Sequence, residues 1–385
     1  MIVKQCDVLI VGGGLVGLSL ALGLESLDIS YCLLDETFSA PKADIRALAL
    51  SKSSIAILKH LQAWDPQALG ATPIQKIHVS CEGALGHTVL DDAHDFLGSV
   101  VNLNQLQQIL INSIVNQDRI IQARFESYCQ KTKQVYANIA GKTVSYLPKV
   151  IIAADGVHSS VRQFCPMPVE KAPEKKAVLS RITLSKPHQG MAFERFTSLG
   201  PMALLPWGTQ DMALVLSVEP TTELSSSSAI KDFVTRQLAG RMGKITACGE
   251  IKTYPLQQMF MPRQSFQNIL FLGNAAHTLH PVAGQGFNLS LRDVAVFLDV
   301  AEKFGLGTHA FPIYCTQRLS DQRLTQWVTK FLAGSFNRLS PQIRGLGLGV
   351  LAATPMLKNI LAFYAQGLGY PLPSWVYQQL ETMDE

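Results

Sequence analysis

Three stretches of this sequence carry an apolar run into a turn of small residues, and each turn can meet a charged or heteroaromatic ligand. The first is Gly12-Gly13-Gly14-Leu15-Val16-Gly17, a GxGxxG placed between an apolar strand (Cys6 to Val11) and a helical segment. In that setting Gly12 permits the turn, Gly14 lets a pyrophosphate approach the backbone, and Gly17 lets helix and strand pack closely. The amides of Leu15 and Val16 then face the anion from a helix N-terminus. Asp35, followed by Glu36, ends a second strand (Ile29 to Leu34), where a carboxylate accepts hydrogen bonds from ribose hydroxyls. A glycine-rich turn with no ligand is the bland alternative, and strand, helix and acidic terminus in register argue against it.

The second stretch runs from Val150 to Arg162. A strand ends in Asp155, Gly156 turns the chain, and a short helix carries Arg162, which can pair with Asp155 or with a phosphate. By itself this stretch reads equally well as a surface turn with an ion pair. The third runs from Ile269 to Asn288: a strand, the turn Gly273-Asn274, and then Pro281, Gly284, Gly286, Phe287 and Asn288 opening another helix. A nicotinamide cofactor has no need of this second helix start, whereas the far end of FAD does. Amides there stabilise negative charge at N1 and O2 of a reduced flavin. Noncovalent FAD is therefore expected.

Metal chemistry is not expected. His277 and His280 read as turn packing, with no third ligand in sight, and the segment containing His87, Asp91, Asp92, His94 and Asp95 reads as a solvated loop. The seven cysteines form no CxxC pair, which argues against both a disulfide framework and zinc.

The elements that must position these turns follow from periodicity. Helices are expected at Ser53 to Leu61 and through Leu103, Leu106, Leu110 and Ile114, with strands at Val135 to Ile139 and Val150 to Ala154. From Ala177 to about Phe260 the pattern becomes short alternating strands punctuated by Pro and Gly, an inserted and mostly antiparallel sheet. Its one clear helix, near Ala229 to Leu238, begins at the serine run Ser225 to Ser228, which reads as a turn and cap. The α/β pattern resumes at Ile269 to Leu272, and the chain ends in apolar helices. The expected fold is α/β: a Rossmann-like FAD-binding domain formed discontinuously by 1–75, 98–176 and 262–310. A substrate-binding sheet domain takes 76–97 and 177–261, and a helical C-terminal region takes 311–385.

The chain has 385 residues, long enough for one large or two closely packed domains. With 33 Lys and Arg against 29 Asp and Glu, it is no polybasic nucleic-acid binder. Charged residues are 16% and hydrophobic ones 47%, more apolar than usual for a globular chain. No stretch is suited to cross a bilayer, so the expectation is a cytoplasmic protein, with peripheral contact at the inner membrane face as its one membrane association. The apolar C-terminal stretch 331–370, including Phe331, Phe336, Leu346, Leu357 and Phe363 with Lys330, Arg338, Arg344 and Lys358 among them, is the candidate surface. It suits an interfacial membrane helix or a docking face for another protein of the same pathway, and equally well helices that cover the flavin domain or build a homo-oligomer such as a homodimer. Because all three cofactor motifs lie upstream, removal of the chain after Ser340 is expected to leave FAD bound.

The three motifs in this order resemble the FAD-dependent aromatic hydroxylases, the p-hydroxybenzoate hydroxylase-like flavoprotein monooxygenases. The resemblance covers nearly the whole chain. The stretch GNAAHTLHPVAGQGFNLSLRD is most similar to the ubiquinone-biosynthesis branch, in particular the 2-polyprenyl-6-methoxyphenol hydroxylase type, and so is the loop Asp44 to Leu50. By that likeness Arg46 contacts the flavin. Asn274 stands where many members have Asp, and Asn104 where many have Arg; Gln105 beside it is the substitute contact. The resemblance implies reduction of FAD by NAD(P)H, capture of O2 as a flavin hydroperoxide, and hydroxylation of a polyprenyl phenol. No side chain is singled out as catalytic, because the cofactor carries the difficult chemistry. A disulfide reductase is disfavoured for lack of a cysteine pair, and a halogenase for lack of WxWxIP. A quinone or prenyl-lipid reductase and a non-catalytic flavin-binding assembly subunit remain as alternatives.

Overall fold

The computed structural model describes residues 3–38, 46–84, 86–92, 95–224, 226–238, 240–335 and 339–384. Asp44, Ile45, His94, Ser225, Phe336 and Arg338, singled out above, lie outside them. The chain opens with β1 (Val3–Val11), α1 (Leu15–Ser26), β2 (Tyr31–Asp35), β3 (Ala47–Ser51), α2 (Lys52–His60), β4 (Thr72–Ile74), β5 (Lys76–Cys81) and β6 (His87–Asp91). It continues through β7 (Gly98–Asn102), α3 (Leu103–Ser113), β8 (Ile120–Gln122), β9 (Arg124–Cys129), β10 (Gln134–Ile139), β11 (Lys142–Ala153) and β12 (Glu170–Lys171). Next come β13 (Lys175–Leu184), β14 (Met191–Phe196), β15 (Pro201–Trp207), β16 (Asp211–Val218), α4 (Ser227–Leu238), β17 (Ile245–Cys248) and β18 (Lys252–Leu256). After β19 (Met259–Phe260), β20 (Ser265–Phe266), β21 (Ile269–Phe271) and β22 (His277–Thr278), the rest is helical: α5 (Gln285–Phe304), α6 (Ala310–Lys330), α7 (Pro341–Ala353), α8 (Pro355–Ala365) and α9 (Ser374–Asp384).

One sheet has the order β20-β21-β11-β1-β2-β8, with a β9-β10-β11 meander at its side. Its central pairs β21/β11, β11/β1, β1/β2 and β2/β8 are all parallel. Buried on both faces, these strands are continuous apolar runs such as Val8–Val11 and Val150–Ala153, as parallel strands must be. Helices α1, α2 and α5 cover one face with Leu18, Leu22, Ile57, Leu291 and Val294. The second large sheet, β17-β13-β16-β15-β14-β5-β6 with β18 beside β13, is antiparallel except where β14 runs parallel to β5. Its core is closed by Ile230, Phe233 and Val234 of α4, whose start is capped by Ser226 Oγ accepting from Ala229 N at 3.1 Å.

Two expectations need correction. The 87–95 segment is more than a solvated loop: the buried Lys52 ammonium lies 2.7 Å from Asp95 and 3.3 Å from Asp92, and the Lys358 ammonium of α8 lies 3.5 Å from Asp91. Nor is the chain after Ser340 dispensable. Leu372 and Val376 belong to the main core, Trp375 stacks on His60 at 4.1 Å, and Gln366 accepts from Ser53 N through its carbonyl at 3.1 Å. Removing these contacts strips α2 of its cover, so truncation at Ser340 is expected to unfold the flavin-side domain.

Candidate active site

The three sequence motifs leave neighbouring parallel strands at the same edge of the first sheet. Val11 pairs with Ala153, and Ala153 with Phe271. Gly12 N donates to Leu34 O at 2.8 Å, Ala154 N to Val11 O at 2.8 Å, and Leu272 N to Ala153 O at 3.0 Å. This is the carboxyl edge of the strands, where open α/β sheets hold ligands.

The glycines of the first motif divide by what constrains them. Gly12 has φ +110°, and a Cβ there would lie 2.5 Å from Ala154 O; at Gly17 it would collide with the Gly12 carbonyl oxygen. Those two glycines are demanded by the fold. Gly14 is not: its backbone is extended (φ −74°), and a Cβ there would meet nothing within 4 Å. Gly13 N donates to Asp35 Oδ2 at 2.6 Å, and Asp35 Oδ1 accepts from Thr37 N at 2.8 Å, so the carboxylate both fixes the turn and retains acceptor capacity. Glu36 is exposed.

In the second motif Asp155 Oδ2 accepts from Ser160 N at 2.7 Å, Ser160 Oγ at 2.9 Å and Val161 N at 3.2 Å. Its Oδ1 is buried and has no hydrogen-bond partner. Gly156, at φ +79°, opens onto empty space. Arg162 departs from the pairing expected of it. Its guanidinium donates to the carbonyls of Ala275 (2.9 Å) and Val157 (2.5 Å), tying the second motif to the third.

In the third motif Gly273, at φ +57°, packs so tightly that a Cβ would lie 3.0 Å from Val16 and 3.2 Å from Ser290 Oγ. This brings the first and third motifs into contact. Asn274 is exposed at the turn. Pro281 leads into Gly284, whose φ is +60° and whose Cβ position is 3.1 Å from Ala49. Gly286 again faces open space, and Phe287 is half-buried in the first turn of α5. Asn288 spends its side chain within the protein: Oδ1 accepts from Ser51 N at 3.0 Å, while Nδ2 donates to Ala49 O at 2.9 Å and Gly284 O at 3.0 Å. It locks β3 to the glycine turn. Arg46 lies just before β3, exposed, with its guanidinium 5.3 Å from the Tyr254 ring centroid. Its carbonyl accepts from Leu103 N at 3.3 Å, which sets the first turn of α3, and with it the exposed Gln105, beside β3.

Helices α1 and α5 begin at Gly14 and Gly284 with no side-chain cap and no acidic residue in the first turn. By contrast α2, α3 and α7 are capped by Ser51, Asn102 and Ser340. The α6 and α8 starts lack a side-chain cap as well. The missing cap therefore signals a ligand only together with the glycine and the open space at Gly14 and Gly286. Uncapped amides at a dipole's positive end suit a diphosphate at α1 and a developing anion at α5. A group with two such ends, and a polar partner for the orphaned Asp155 oxygen, fits these residues.

Behind the site lies a buried charge network that the sequence reading missed. Asp293 accepts from His277 Nε2 (2.5 Å), Arg318 Nε (2.8 Å) and Gln322 Nε2 (2.9 Å), and from Gly273 N at 3.3 Å. Arg318 and Arg292 both reach Asp321, at 2.6 and 2.8 Å. Burial alone would raise both carboxyls, but the His277 and Arg318 charges hold Asp293 well below the carboxylate range, and Arg318 with Arg292 bring Asp321 down to about 2. The legible signal was Arg292 and Asp293 inside the otherwise mostly apolar α5, whereas α6 carries Arg318 and Asp321 among other polar residues.

His280 is almost wholly buried, and its Nδ1 accepts from Val282 N at 3.2 Å. Burial, with a smaller push from Lys175, lowers its pKa to about 4. The unfolded chain takes up this proton near pH ~6.5, so the stability it contributes is full above that value and is lost as pH falls toward about 4. His280→Asn, which keeps an acceptor for Val282, should melt with a shallower acid dependence than the wild type between about pH 6.5 and pH 4. Parallel melting curves across that window would contradict the assignment.

Residues 5–300 match the family model described as "FAD binding domain". The chain is 28% identical to 3-demethoxyubiquinol 3-hydroxylase of Escherichia coli (strain K12), over 95% of this chain and 99% of that protein. It is 28% identical to the ubiquinone hydroxylase UbiL of Rhodospirillum rubrum, over 94% and 90% respectively. Among solved structures, p-nitrophenol 4-monooxygenase PnpA from Pseudomonas putida DLL-E4 superposes with a TM-score of 0.77 at 15% identity, covering 96% of this chain and all of that one. PqsL of Pseudomonas aeruginosa, a probable FAD-dependent monooxygenase, gives 0.74 at 20% identity over 90% and 99%. With the family model spanning all three glycine motifs and the sheet between them, this chain belongs to the FAD-binding domain family, and FAD is its cofactor.

Proposed function

We propose that this protein is an FAD-dependent monooxygenase that hydroxylates the aromatic ring of a polyprenyl phenol in ubiquinone biosynthesis, consuming NAD(P)H and O2. The observation that carries the reading is the convergence of three glycine turns on one strand edge, with open space at Gly14, Gly156 and Gly286 and an unpaired oxygen on Asp155. The nearly full-length likeness to a 3-demethoxyubiquinol 3-hydroxylase and a ubiquinone hydroxylase supports the substrate class.

Bound FAD supplies hydride acceptance and the activation of dioxygen. The chain's own residues hold and insulate it. Asp35 takes the ribose hydroxyls, with Glu36 at the rim, and the amides of Gly14, Leu15 and Val16 take the diphosphate, under the close packing of Gly12 and Gly17. Arg46, just before β3, and Gln105, on α3, would add contacts from the side. Asp155 Oδ1 and Gly156 meet the middle of the cofactor, held in place by Arg162. Gly273 and Asn274 follow the ribityl chain, and the Pro281 to Asn288 segment presents its amides to the flavin ring. A hollow between β14–β16 and this segment is lined by Glu194, Ala203, Val215, Ser217 and Val282, and there the second sheet would face the ring. That sheet supplies the wall against which a phenol is oriented and from which water is excluded.

Asp155→Asn tests the cofactor contact. The amide oxygen still accepts from Ser160 and Val161, but the orphaned oxygen becomes a donor. FAD affinity should fall about tenfold, the worth of one charge-assisted hydrogen bond, with the apoprotein's melting temperature little changed. Equal losses in both would make Asp155 a turn residue only. The activity itself is tested by oxygen consumption and NAD(P)H oxidation on adding a prenylated phenol. Reduced quinone formed without oxygen consumption would favour the reductase alternative, and no turnover the assembly-subunit alternative.

A further inference from the structure

The last helices turn one face to the sheets and another outward, and the outward face is apolar. In α7, Leu348 packs with Cys81 and Phe196 of the second sheet, while Ile343, Leu346 and Val350 share the opposite side, Leu346 being 71% exposed. In α8, Ala362 is the buried contact and Met356, 72% exposed, points out with Ile360 and Phe363. The two helices meet at 95° across Thr354, and neither is long enough to span a bilayer, which takes about 20 residues. Together they form a bent apolar pair. Where α6 ends, next to Leu332, which packs in the Leu348 cluster, Trp327 (62% exposed) and Phe331 turn outward stacked at 5.6 Å, with the exposed cations Arg323 and Lys330 near them in sequence. An indole flanked by cations is the side-chain chemistry of a lipid headgroup zone.

Charge decides what covers this face. From Gln322 to Leu380 the sequence holds no Asp or Glu, and among the described residues the exposed cations are Arg323 and Lys330 beside Trp327, since Arg344 is buried and Lys358 pairs with Asp91. The rest of the chain is close to neutral. A twofold dimer through this surface would set the same cations against each other. An anionic bilayer complements them and takes up the bent apolar pair. We propose that the outward faces of α6, α7 and α8 form a docking surface for anionic lipid bilayers. This goes beyond the hydroxylase reading and does not depend on it.

The test is vesicle flotation of the full-length, flavin-loaded protein. Vesicles of phosphatidylcholine alone are compared with vesicles holding an equal part of phosphatidylglycerol. The protein should float with the anionic vesicles, less so as salt is raised. Lys330→Glu should weaken binding about thirtyfold, the reversal of one surface charge. Leu346→Glu with Met356→Glu should abolish binding, and because both positions are exposed, the flavin spectrum and melting temperature should stay as in the wild type. No flotation with either vesicle overturns the proposal, as does undiminished flotation of the double variant. A wild-type dimer in sedimentation velocity that the double variant breaks, with neither protein floating, would assign the face to a second copy instead.

Discussion

Gly14→Leu should yield a folded, colourless protein. The backbone at Gly14 is extended, a conformation open to any residue, and a side chain there would touch no protein atom within 4 Å of its Cβ. A substitution of that kind changes folding stability by no more than about 0.5 kcal/mol. The space it fills is the approach to the uncapped amides of α1, which the diphosphate needs. Gly17→Ala should behave in the opposite way. Its methyl collides with the Gly12 carbonyl, so expression and melting temperature suffer before flavin affinity can be measured. Flavin content by absorbance, with melting temperature beside it, separates the two. A yellow Gly14→Leu protein would mean that the open space at this turn is not where the cofactor lies.

Arg318→Met should cost about 3 to 5 kcal/mol of stability, the usual penalty for leaving buried charges without their partner. Arg318 is fully buried and hydrogen-bonds to both Asp293 and Asp321. Without it two carboxylates lose their shared cation, and Asp293 alone still fixes His277 and the Gly273 amide. The loss should shrink at acid pH. Carboxyls held below their ordinary range contribute stability that is present above about pH 3.9 and disappears as pH falls through the folded value, about 2 for Asp321. Chemical denaturation at neutral pH and at about pH 2.5, between the two values, measures both effects. A change under about 1 kcal/mol at neutral pH would show that the network is solvated or replaceable.

The parts of the site that were legible in the sequence are those in which backbone does the work. A pyrophosphate turn needs glycines at fixed spacing after a strand, so Gly12, Gly14 and Gly17 announce themselves, and the acidic strand terminus at Asp35 follows from the geometry of adjacent parallel strands. Strand and helix positions followed for the same reason: Val135 to Ile139 and the helix through Leu106 and Leu110 lie where their periodicity puts them. What stayed hidden was long-range side-chain pairing. Nothing local shows that Arg162 reaches the Ala275 carbonyl, or that Asn288 ties its helix to Ser51 across the fold. The Asp293 and Arg318 network joins two helices through residues 25 apart in sequence, and the polar run of α6 does not show which of its charges turn inward. The C-terminal helices misled in another way. Composition does not distinguish them: the mixed α9 puts Val376 in the core, while the apolar α7 turns Leu346 outward.

Incorporation of isotopically labelled dioxygen tests the central claim most directly. The purified flavoprotein is turned over with NAD(P)H and a short-chain prenyl phenol under heavy-isotope O2, and the product is weighed by mass spectrometry. The account predicts a ring-hydroxylated phenol carrying a single labelled oxygen atom, formed in step with NAD(P)H oxidation. Label-free product, or a hydroquinone formed equally well without oxygen, would contradict it.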